Sequence, residues 1–236
     1  AKGADYYWNV NKQSAHLLDE IRKAFTEGNQ EKAEMLTRQN FNSEVSYDAD
    51  GETPFRFGSF TTMGEFYVET GLNIIGMSDY KRILSLDSAM AVVQFKKDHV
   101  AYQRNYFISY PANVMVMRFS ADQPGKQNLV FSYAPNPVST GNMASDGNKG
   151  LVYSASLDNN GMKYVVRIQA ETKGGTLFNA DGKLTVKGAD EVVFYITADT
   201  DYKPNFDPDF KDPKTYVGVN PEETTKQWMN NAVLQG

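Results

Sequence analysis

Four short apolar strands follow one another between Tyr80 and Asp122, and this stretch constrains the fold more than any other. Strands joined by two-residue turns place alternate side chains on opposite faces of a sheet. With turns at Asp87-Ser88 and Lys97-Asp98, one face becomes almost wholly apolar. The predicted facing pairs on it are Leu86 with Ala89, Leu84 with Ala91, Phe95 with Val100, and Val93 with Tyr102. The stretch therefore predicts an antiparallel meander with one face turned to a core.

The opposite face of this meander is mixed in character. Its polar members are Ser85, Asp87, Gln94, Lys96, Gln103 and Asn105, and its apolar members are Ile83, Met90, Val92 and Phe107. Apolar side chains on a second face call for partial cover, so we expect another layer over part of it.

Two arginines, Arg82 and Arg104, fall on the apolar face. A guanidinium cannot lose its charge, so it needs a carboxylate or carbonyl partner there. The general rule for buried charges favours an internal ion pair or a place at the sheet rim. The alternative is an arginine that binds an anionic ligand.

A pair of helices precedes the strands. Apolar residues recur at helical spacing from Ser14 to Glu27, and Gly28 follows as a stop signal. A second helix is predicted from Gln30 to Asn40, with Asn29 as its N-cap. The short link between the two helices predicts an antiparallel hairpin.

The strand pattern continues from about residue 57 to residue 200. Asn160-Gly161 and Asp181-Gly182 are strong turn signals between apolar runs. About eleven or twelve sequential strands are expected after residue 60, and tight turns make them antiparallel. That number favours two packed sheets over one open sheet.

The character of the chain changes after Thr200. Residues 201–218 are extended and bracketed by prolines, and Asn220-Pro221-Glu222-Glu223 carries three helix-start signals. We therefore predict a sandwich domain over residues 1–200, with the helical hairpin at about 14–40 and the strands at about 57–200. Residues 201–236 form an extended linker and a helix.

Composition excludes several classes of protein. The 236 residues carry a net charge of −5 and no basic patch, which argues against nucleic acid as a partner. The absence of cysteine rules out disulfides, and with only two histidines a zinc site is not expected. No apolar run approaches the roughly 18 residues of a membrane span. We expect no metal or cofactor.

Few residues point to chemistry. Asp207, Asp209 and Asp212 lack the spacing of a calcium loop and are interpreted as a solvated connector. His16 and His99 have no nucleophile or acid at a motif spacing, and Gly174-Gly175 marks a turn. Glycoside hydrolysis needs two acids beside a sugar. Glu65, Glu69 and Asp79 are available, but their spacing selects no pair.

An aromatic group, Tyr6, Tyr7 and Trp8, lies near the N-terminus. These rings could stack on a sugar, or they could pack against a neighbouring element, which is the favoured interpretation.

The central strands resemble the N-terminal domain of glycoside hydrolase family 95, the α-L-fucosidase-type enzymes. The residues that carry the resemblance are Tyr80, Lys81, Arg82, Leu84, Leu86, Asp87, Ala89, Ala91, Val93, Phe95, Val100, Tyr102, Arg104, Phe107, Ser109, Pro111, Val114 and Arg118. The flanks agree at residues 31–41, 60–69, 182–190 and 200–202. The resemblance covers nearly the whole chain.

This resemblance implies a β supersandwich of two packed sheets that precedes a catalytic (α/α)6 barrel. Such enzymes cleave α-1,2-linked L-fucose, or a related sugar such as L-galactose, with inversion, and their catalytic acid and base lie in the barrel. No part of this chain matches the barrel, so no catalytic residue is expected here. The implied partners are that barrel and a fucosylated oligosaccharide.

The residues expected nearest a substrate are Tyr7, Trp8, Thr62 and Glu65. The implied compartment of the parent protein is periplasmic or secreted, as in bacteria that degrade glycans. Two alternatives stay open, which are a stand-alone carbohydrate-binding module and a structural scaffold domain.

Overall fold

The computed structural model describes residues 14–41, 61–158, 161–204 and 217–235. The chain forms two compact units, Ala1–Thr61 and Thr62–Gly236. The candidates Tyr7, Trp8, Asp207, Asp209 and Asp212 lie outside the described residues.

The first unit contains the predicted helical hairpin. A short 3-10 turn, Ala15–Leu17, leads into α1 (Leu18–Thr26), and α2 spans Gln30–Asn40. The Asn29 side chain accepts a hydrogen bond from the Lys32 backbone amide at 3.1 Å, which confirms the predicted N-cap. Ile21, Ala24 and Ala33 form the buried contact between the helices.

The second unit contains twelve described strands and one helix. The strands are β1 (Gly64–Glu69), β2 (Ser78–Ser85), β3 (Met90–Lys97), β4 (Val100–Ser109), β5 (Val114–Ala121), β6 (Gln127–Pro135), β7 (Ser139–Ser145), β8 (Gly150–Leu157), β9 (Lys163–Lys173), β10 (Thr176–Ala180), β11 (Lys183–Ala189) and β12 (Glu191–Thr200), and the helix is α3 (Pro221–Gln235). The predicted mainly β class with a C-terminal helix is confirmed.

The strands form two antiparallel sheets. The smaller sheet has the order β1-β6-β11-β10, and the larger has the order β2-β3-β4-β5-β12-β9-β8-β7. One core cluster joins side chains of both sheets, with Phe131 of β6 stacked on Phe194 of β12 at 4.7 Å between ring centroids. Alternation along the central strands of both sheets sends every second side chain into this core, which confirms the predicted sandwich.

The hairpin registers agree with the sequence in part. Leu84 pairs with Ala91 as predicted. The β3–β4 turn lies at Asp98-His99 instead of Lys97-Asp98, so Phe95 pairs with Tyr102 and not with Val100. Asp98 and His99 have φ angles of 51° and 62°, as a type I′ turn requires. The register differs by two residues, so each side chain keeps its predicted face.

The predicted apolar face is buried at one end only. Phe95, Val100 and Tyr102 form a buried cluster, but Leu84 and Leu86 are 71% and 84% exposed. The prediction that these two leucines lie in a core is wrong. β2 is the outermost strand of the larger sheet, and none of its residues belongs to a buried cluster of the described chain.

The guanidinium groups of the two arginines on this face have different surroundings. Arg82 lies on the edge strand β2 and is exposed, which matches the predicted place at the sheet rim. Arg104 places its guanidinium over the rings of Phe95 and Phe119, at 5.1 and 5.7 Å. The faces of the rings attract the cation, so stacking takes the place of the expected carboxylate.

Helix α3 covers part of the outer face of the larger sheet. It begins at Pro221, and Asn220 accepts a hydrogen bond from the Glu222 amide at 3.1 Å, as an N-cap does. Met229 and Ala232 pack on Val114, Val116 and Tyr195. A second layer is thus present on this side of the sheet, but it covers β5, β12 and β9. It leaves Ile83 and Phe107 of the predicted mixed face exposed.

No helix in the described ranges is both long and apolar enough to cross a membrane. Over the same ranges, no three potential ligands group closely enough to hold a metal ion.

Candidate functional site

The start of β1 is fixed by a buried corner of hydrogen bonds. The Asn136 side chain donates to the Thr62 carbonyl and accepts from the Val138 amide. The Met63 carbonyl accepts from the Asn136 amide at 3.0 Å and from the Tyr133 hydroxyl at 2.6 Å. Asn136 is 4% exposed, so these bonds are shielded from water. Thr62, itself exposed, therefore stands on a rigid backbone.

A tyrosine cluster supports this corner from within the core. The ring centroids of Tyr133 and Tyr153 lie 5.5 Å apart, and those of Tyr153 and Tyr164 lie 6.0 Å apart. The Tyr164 hydroxyl is 2.7 Å from Ser139 Oγ. Burial raises the pKa of Tyr133 and of Tyr164, because a phenolate loses its hydration there. These phenols remain protonated near neutral pH and act as hydrogen-bonding groups of the structure.

Glu65 lies two residues further along β1 from the corner, on an exposed position. Its carboxylate accepts a hydrogen bond from the hydroxyl of Tyr67, the next residue on the same face. That bond raises the pKa of Tyr67, because it stabilises the protonated phenol beside a negative charge. The structure thus places Thr62 and Glu65 close together on the chain, with Glu65 already held by a neighbour.

A cleft of about 540 Å³ lies across strands β2 to β5 and is lined by both apolar and polar residues. Its apolar and aromatic lining residues are Phe95, Ala101, Tyr102 and Ala121. Its polar lining residues are Asp79, Lys81, Gln94, Lys96, Gln103, Ser120 and Asp122. Ser120 lies between Phe119, a core residue, and Ala121, so alternation places it on the outer face of the larger sheet. The cleft therefore opens on the face turned away from the smaller sheet.

A relay of amide side chains begins at Gln94 and Gln103 in the cleft and ends at Asn105, beside the lining residues. Gln94 Nε2 donates to Gln103 Oε1, and Gln103 Nε2 donates to Asn105 Oδ1, each at 2.9 Å. All three side chains are half-buried. Each amide is thereby oriented before any ligand arrives, and groups on Gln94 and Asn105 remain to hydrogen-bond something above the sheet.

Charged residues form the rim of the cleft. A register shift between Ser78 and Lys81 adds a bulge to β2, and Asp79 in that bulge pairs with Lys96 at 2.8 Å. The hydrogen bond from Lys96 is the main reason that the pKa of Asp79 is lowered. Asp122 Oδ1 accepts from the Ala101 amide at 2.9 Å.

Sequence reasoning found this site in part. It assigned Gln94, Lys96, Gln103 and Asn105 to one polar face, and it named Asp79 among loose acidic candidates. It missed the bulge at Ser78–Lys81, because nothing local in the sequence marks the extra residue. It also missed Asn136 and Tyr133, whose contacts reach back about 70 residues along the chain.

The remaining candidates do not line the cleft. Glu69 ends β1, His99 is in the β3–β4 turn, and His16 is in the 3-10 turn before α1. Gly174 and Gly175 form the turn between β9 and β10 with φ of 69° and 66°, as predicted for a turn.

A two-sheet antiparallel sandwich with a helix on its larger sheet agrees with the sequence in placing this chain among the N-terminal domains of glycoside hydrolases. The chain belongs to the family described as glycosyl hydrolase family 65, N-terminal domain, whose sequence model matches residues 2–205. The family shown is thus family 65, whereas the central motif had indicated family 95.

One curated relative is "Probable alpha-fucosidase A" of Aspergillus niger (strain ATCC MYA-4892 / CBS 513.88 / FGSC A1513). It is 28% identical over 192 residues, which cover 77% of this chain and 23% of the relative. A solved chain described as "Putative kojibiose phosphorylase from human microbiome" aligns with a TM-score of 0.42 and 11% identity. That alignment covers 72% of this chain and 24% of the other. The chain spans about a quarter of the length of each.

Proposed function

We propose that this chain is the sandwich domain of a larger α-L-fucosidase-like enzyme and that catalysis takes place outside it. The observation that carries the proposal is the relation to the fungal protein, which covers 77% of this chain but only 23% of that relative. The proposed parent resembles family 95 enzymes and removes α-1,2-linked L-fucose, or a related sugar, with inversion in an (α/α)6 barrel.

The carboxylates of the sandwich support a structural role. Glycoside hydrolysis needs one carboxyl group whose pKa is raised, so that it is protonated and can act as an acid. Here the pKa of Asp79 is lowered by its bond from Lys96. Glu171 is paired with Lys149, and Glu191 with Arg118. These ion pairs connect neighbouring parts of the larger sheet, which supports a structural role for the three acids.

Helix α3 is the element that we assign to the contact with the catalytic barrel. The family match ends at residue 205, and α3 follows at Pro221–Gln235. One side of α3 is anchored on the sandwich through Met229 and Ala232. Leu234 is 85% exposed on the same helix, which leaves an apolar side chain for another partner.

Hydrolysis of an aryl α-L-fucoside tests the proposal. We expect no turnover by the purified 236-residue chain and turnover by the full-length parent protein, with inversion at the anomeric carbon. The opposite result would be hydrolytic activity that copurifies with the 236-residue chain through two separate purification steps. That result would place catalysis within the sandwich. Reading the coding sequence beyond Gly236 is the companion test: several hundred helix-rich residues support the proposal, whereas a stop codon or repeated sandwiches contradict it.

A further inference from the structure

We propose that the cleft across β2 to β5 binds a neutral saccharide. Its volume of about 540 Å³ falls in the size range of small-ligand sites, roughly 300–1,000 Å³. The proposal concerns side chains of this chain alone, and only the choice of the test sugar rests on the proposed function.

The lining is balanced in charge, and this selects the class of ligand. Lys81 and Lys96 contribute two positive charges, and Asp79 and Asp122 contribute two negative charges, so the four sum to zero. An anion such as phosphate would meet both carboxylates, and a cation would meet both ammonium groups. A neutral ligand with many hydroxyl groups meets neither cost, because a hydroxyl can donate to carboxylates and accept from ammonium groups.

Several hydrogen-bonding groups are left over after the internal bonds are counted. Within the described chain, the side chains of Lys81 and Ser120 make no hydrogen bond or ion pair. Gln94 keeps its carbonyl oxygen, and Asn105 keeps its NH2 group, because the relay uses the other end of each amide. Both donors and acceptors thus remain in or beside the cleft, which suits the hydroxyl groups of a sugar.

The site is also rigid before binding. Gln94, Gln103 and Ser120 stand in one row, since Gln94 pairs with Gln103 and Gln103 pairs with Ser120 across β3, β4 and β5. The relay orients the two glutamine amides, so little side-chain freedom is lost when a ligand binds.

Titration with α-1,2-fucosylated lactose, followed by calorimetry and by the side-chain amide signals in NMR spectra, tests the inference. We expect saturable binding by the 236-residue chain and shifts of the Gln94 and Gln103 amide signals. Gln103→Ala and Lys81→Ala should each weaken binding about fivefold to tenfold, since each removes one or two hydrogen bonds. Lys81 is exposed and outside the relay, so its variant tests the site even if Gln103→Ala alters the fold.

The matched control is Gln169→Ala. Gln169 is a half-buried glutamine on the same sheet, three strands away on β9, and we expect unchanged affinity from its substitution. Absence of binding at millimolar sugar by the folded chain would overturn the proposal. So would equal affinity of the wild type and both cleft variants, or displacement of the sugar by inorganic phosphate. Because no turnover is measured, these outcomes are independent of the fucoside test.

Discussion

Gly64 is one of the glycines whose surroundings leave no room for a side chain. A Cβ atom there would lie 2.4 Å from the Ala134 carbonyl and 2.6 Å from the Tyr133 ring. Both neighbours are fixed, since Tyr133 is buried and donates to Met63. We expect Gly64→Ala to lower the free energy of unfolding by about 2 kcal/mol, as overpacking does in rigid sites. Urea denaturation measures the change.

Gly147→Ala is the control for Gly64→Ala. Gly147 has a φ of 68°, but no atom lies within 4 Å of the place that an added methyl group would take, so its substitution carries only the backbone cost, about 1 kcal/mol. If Gly64→Ala were no more harmful than Gly147→Ala, the close approach of β1 to β6 at this point would be wrong.

The bond between Tyr67 and Glu65 predicts a titration. The pKa of Tyr67 is raised because its hydroxyl donates to the Glu65 carboxylate. Replacing Glu65 by Gln removes the negative charge, so the phenol should ionise at lower pH. The 13Cζ chemical shift of Tyr67, followed from pH 8 to 12, checks this. Glu69→Gln on the same strand should leave the Tyr67 curve where it is; an unmoved curve in Glu65→Gln contradicts the contact.

At this scale the sequence predicts side-chain chemistry better than position. It marked Glu65 and Thr62 through a family resemblance, but it could not show that Tyr67 would hold Glu65. It passed over Asn136, in a loop rich in small polar residues, because the function of that amide depends on Thr62 lying beside it. Contacts between distant residues leave no local pattern.

The β3–β4 hairpin shows what an element-level prediction can and cannot fix. Alternation gave the correct faces, because side chains repeat every two residues. The turn itself was placed one residue early, and neither Asp98 nor His99 is glycine, the usual residue at a positive φ. The face on which a side chain lies therefore follows from the pattern of the whole strand. The pairing register of β3 and β4 depends instead on the turn residues Asp98 and His99, whose residue types mark a turn only weakly.

The substitution His99→Gly tests the observed register of β3 and β4, because the register determines whether the free energy of unfolding rises or falls. His99 has a φ of 62°, where glycine avoids a steric cost of about 1–2 kcal/mol but adds roughly 0.5–1 kcal/mol of unfolded-state entropy. We expect a gain in the free energy of unfolding of up to about 1 kcal/mol, measured by urea denaturation. With a turn at Lys97-Asp98, residue 99 would begin a strand, and glycine there would destabilise the protein instead.

Helix α3 is held at its first turn by a buried arginine. The Arg167 side chain is 6% exposed and bonds to Asp146 and, at 3.1 Å, to Glu222, which also accepts from Ser154. The two acids are 36% and 42% exposed, so water can solvate them if the arginine is removed. The cost of breaking this group thus depends on which partner is lost.

We expect Asp146→Ala to destabilise the protein by about 3 kcal/mol and Arg167→Met by about 1 kcal/mol or less. The first variant leaves a buried guanidinium with one partner, whereas the second replaces it by an apolar side chain of similar length. Thermal and urea unfolding give the order. The reverse order would mean that Arg167 is better hydrated than its burial indicates.

At the scale of the whole molecule, strand counting predicted two packed sheets, and this is what the chain forms. The division into four and eight strands was not predictable in the same way. Which strand becomes an edge depends on pairings between distant segments, such as β5 with β12. The exposure of Leu84 and Leu86 follows from that division, because apolar alternation in β2 predicts a face but not whether another sheet reaches over it.

The coupling of the two sheets is the property on which the sandwich as a unit depends. Phe131 of the smaller sheet stacks on Phe194 of the larger sheet, and both are fully buried. We expect Phe131→Leu and Phe194→Leu each to cost about 1.5 kcal/mol in the free energy of unfolding. The double variant should show a coupling of about 1 kcal/mol, the size found for direct aromatic pairs.

The control cycle joins Phe131→Leu with Phe95→Leu. Phe95 belongs to a separate buried cluster of the larger sheet with Val100 and Tyr102, so the two changes should add within about 0.5 kcal/mol. Additivity of Phe131 and Phe194 would contradict the stacking of the sheets through these rings. The expected result is a coupling between Phe131 and Phe194 only, with a single unfolding transition and an unchanged dependence of the free energy on denaturant. This result would show that the two sheets fold as one unit, because the two rings keep their contact only when both sheets are formed.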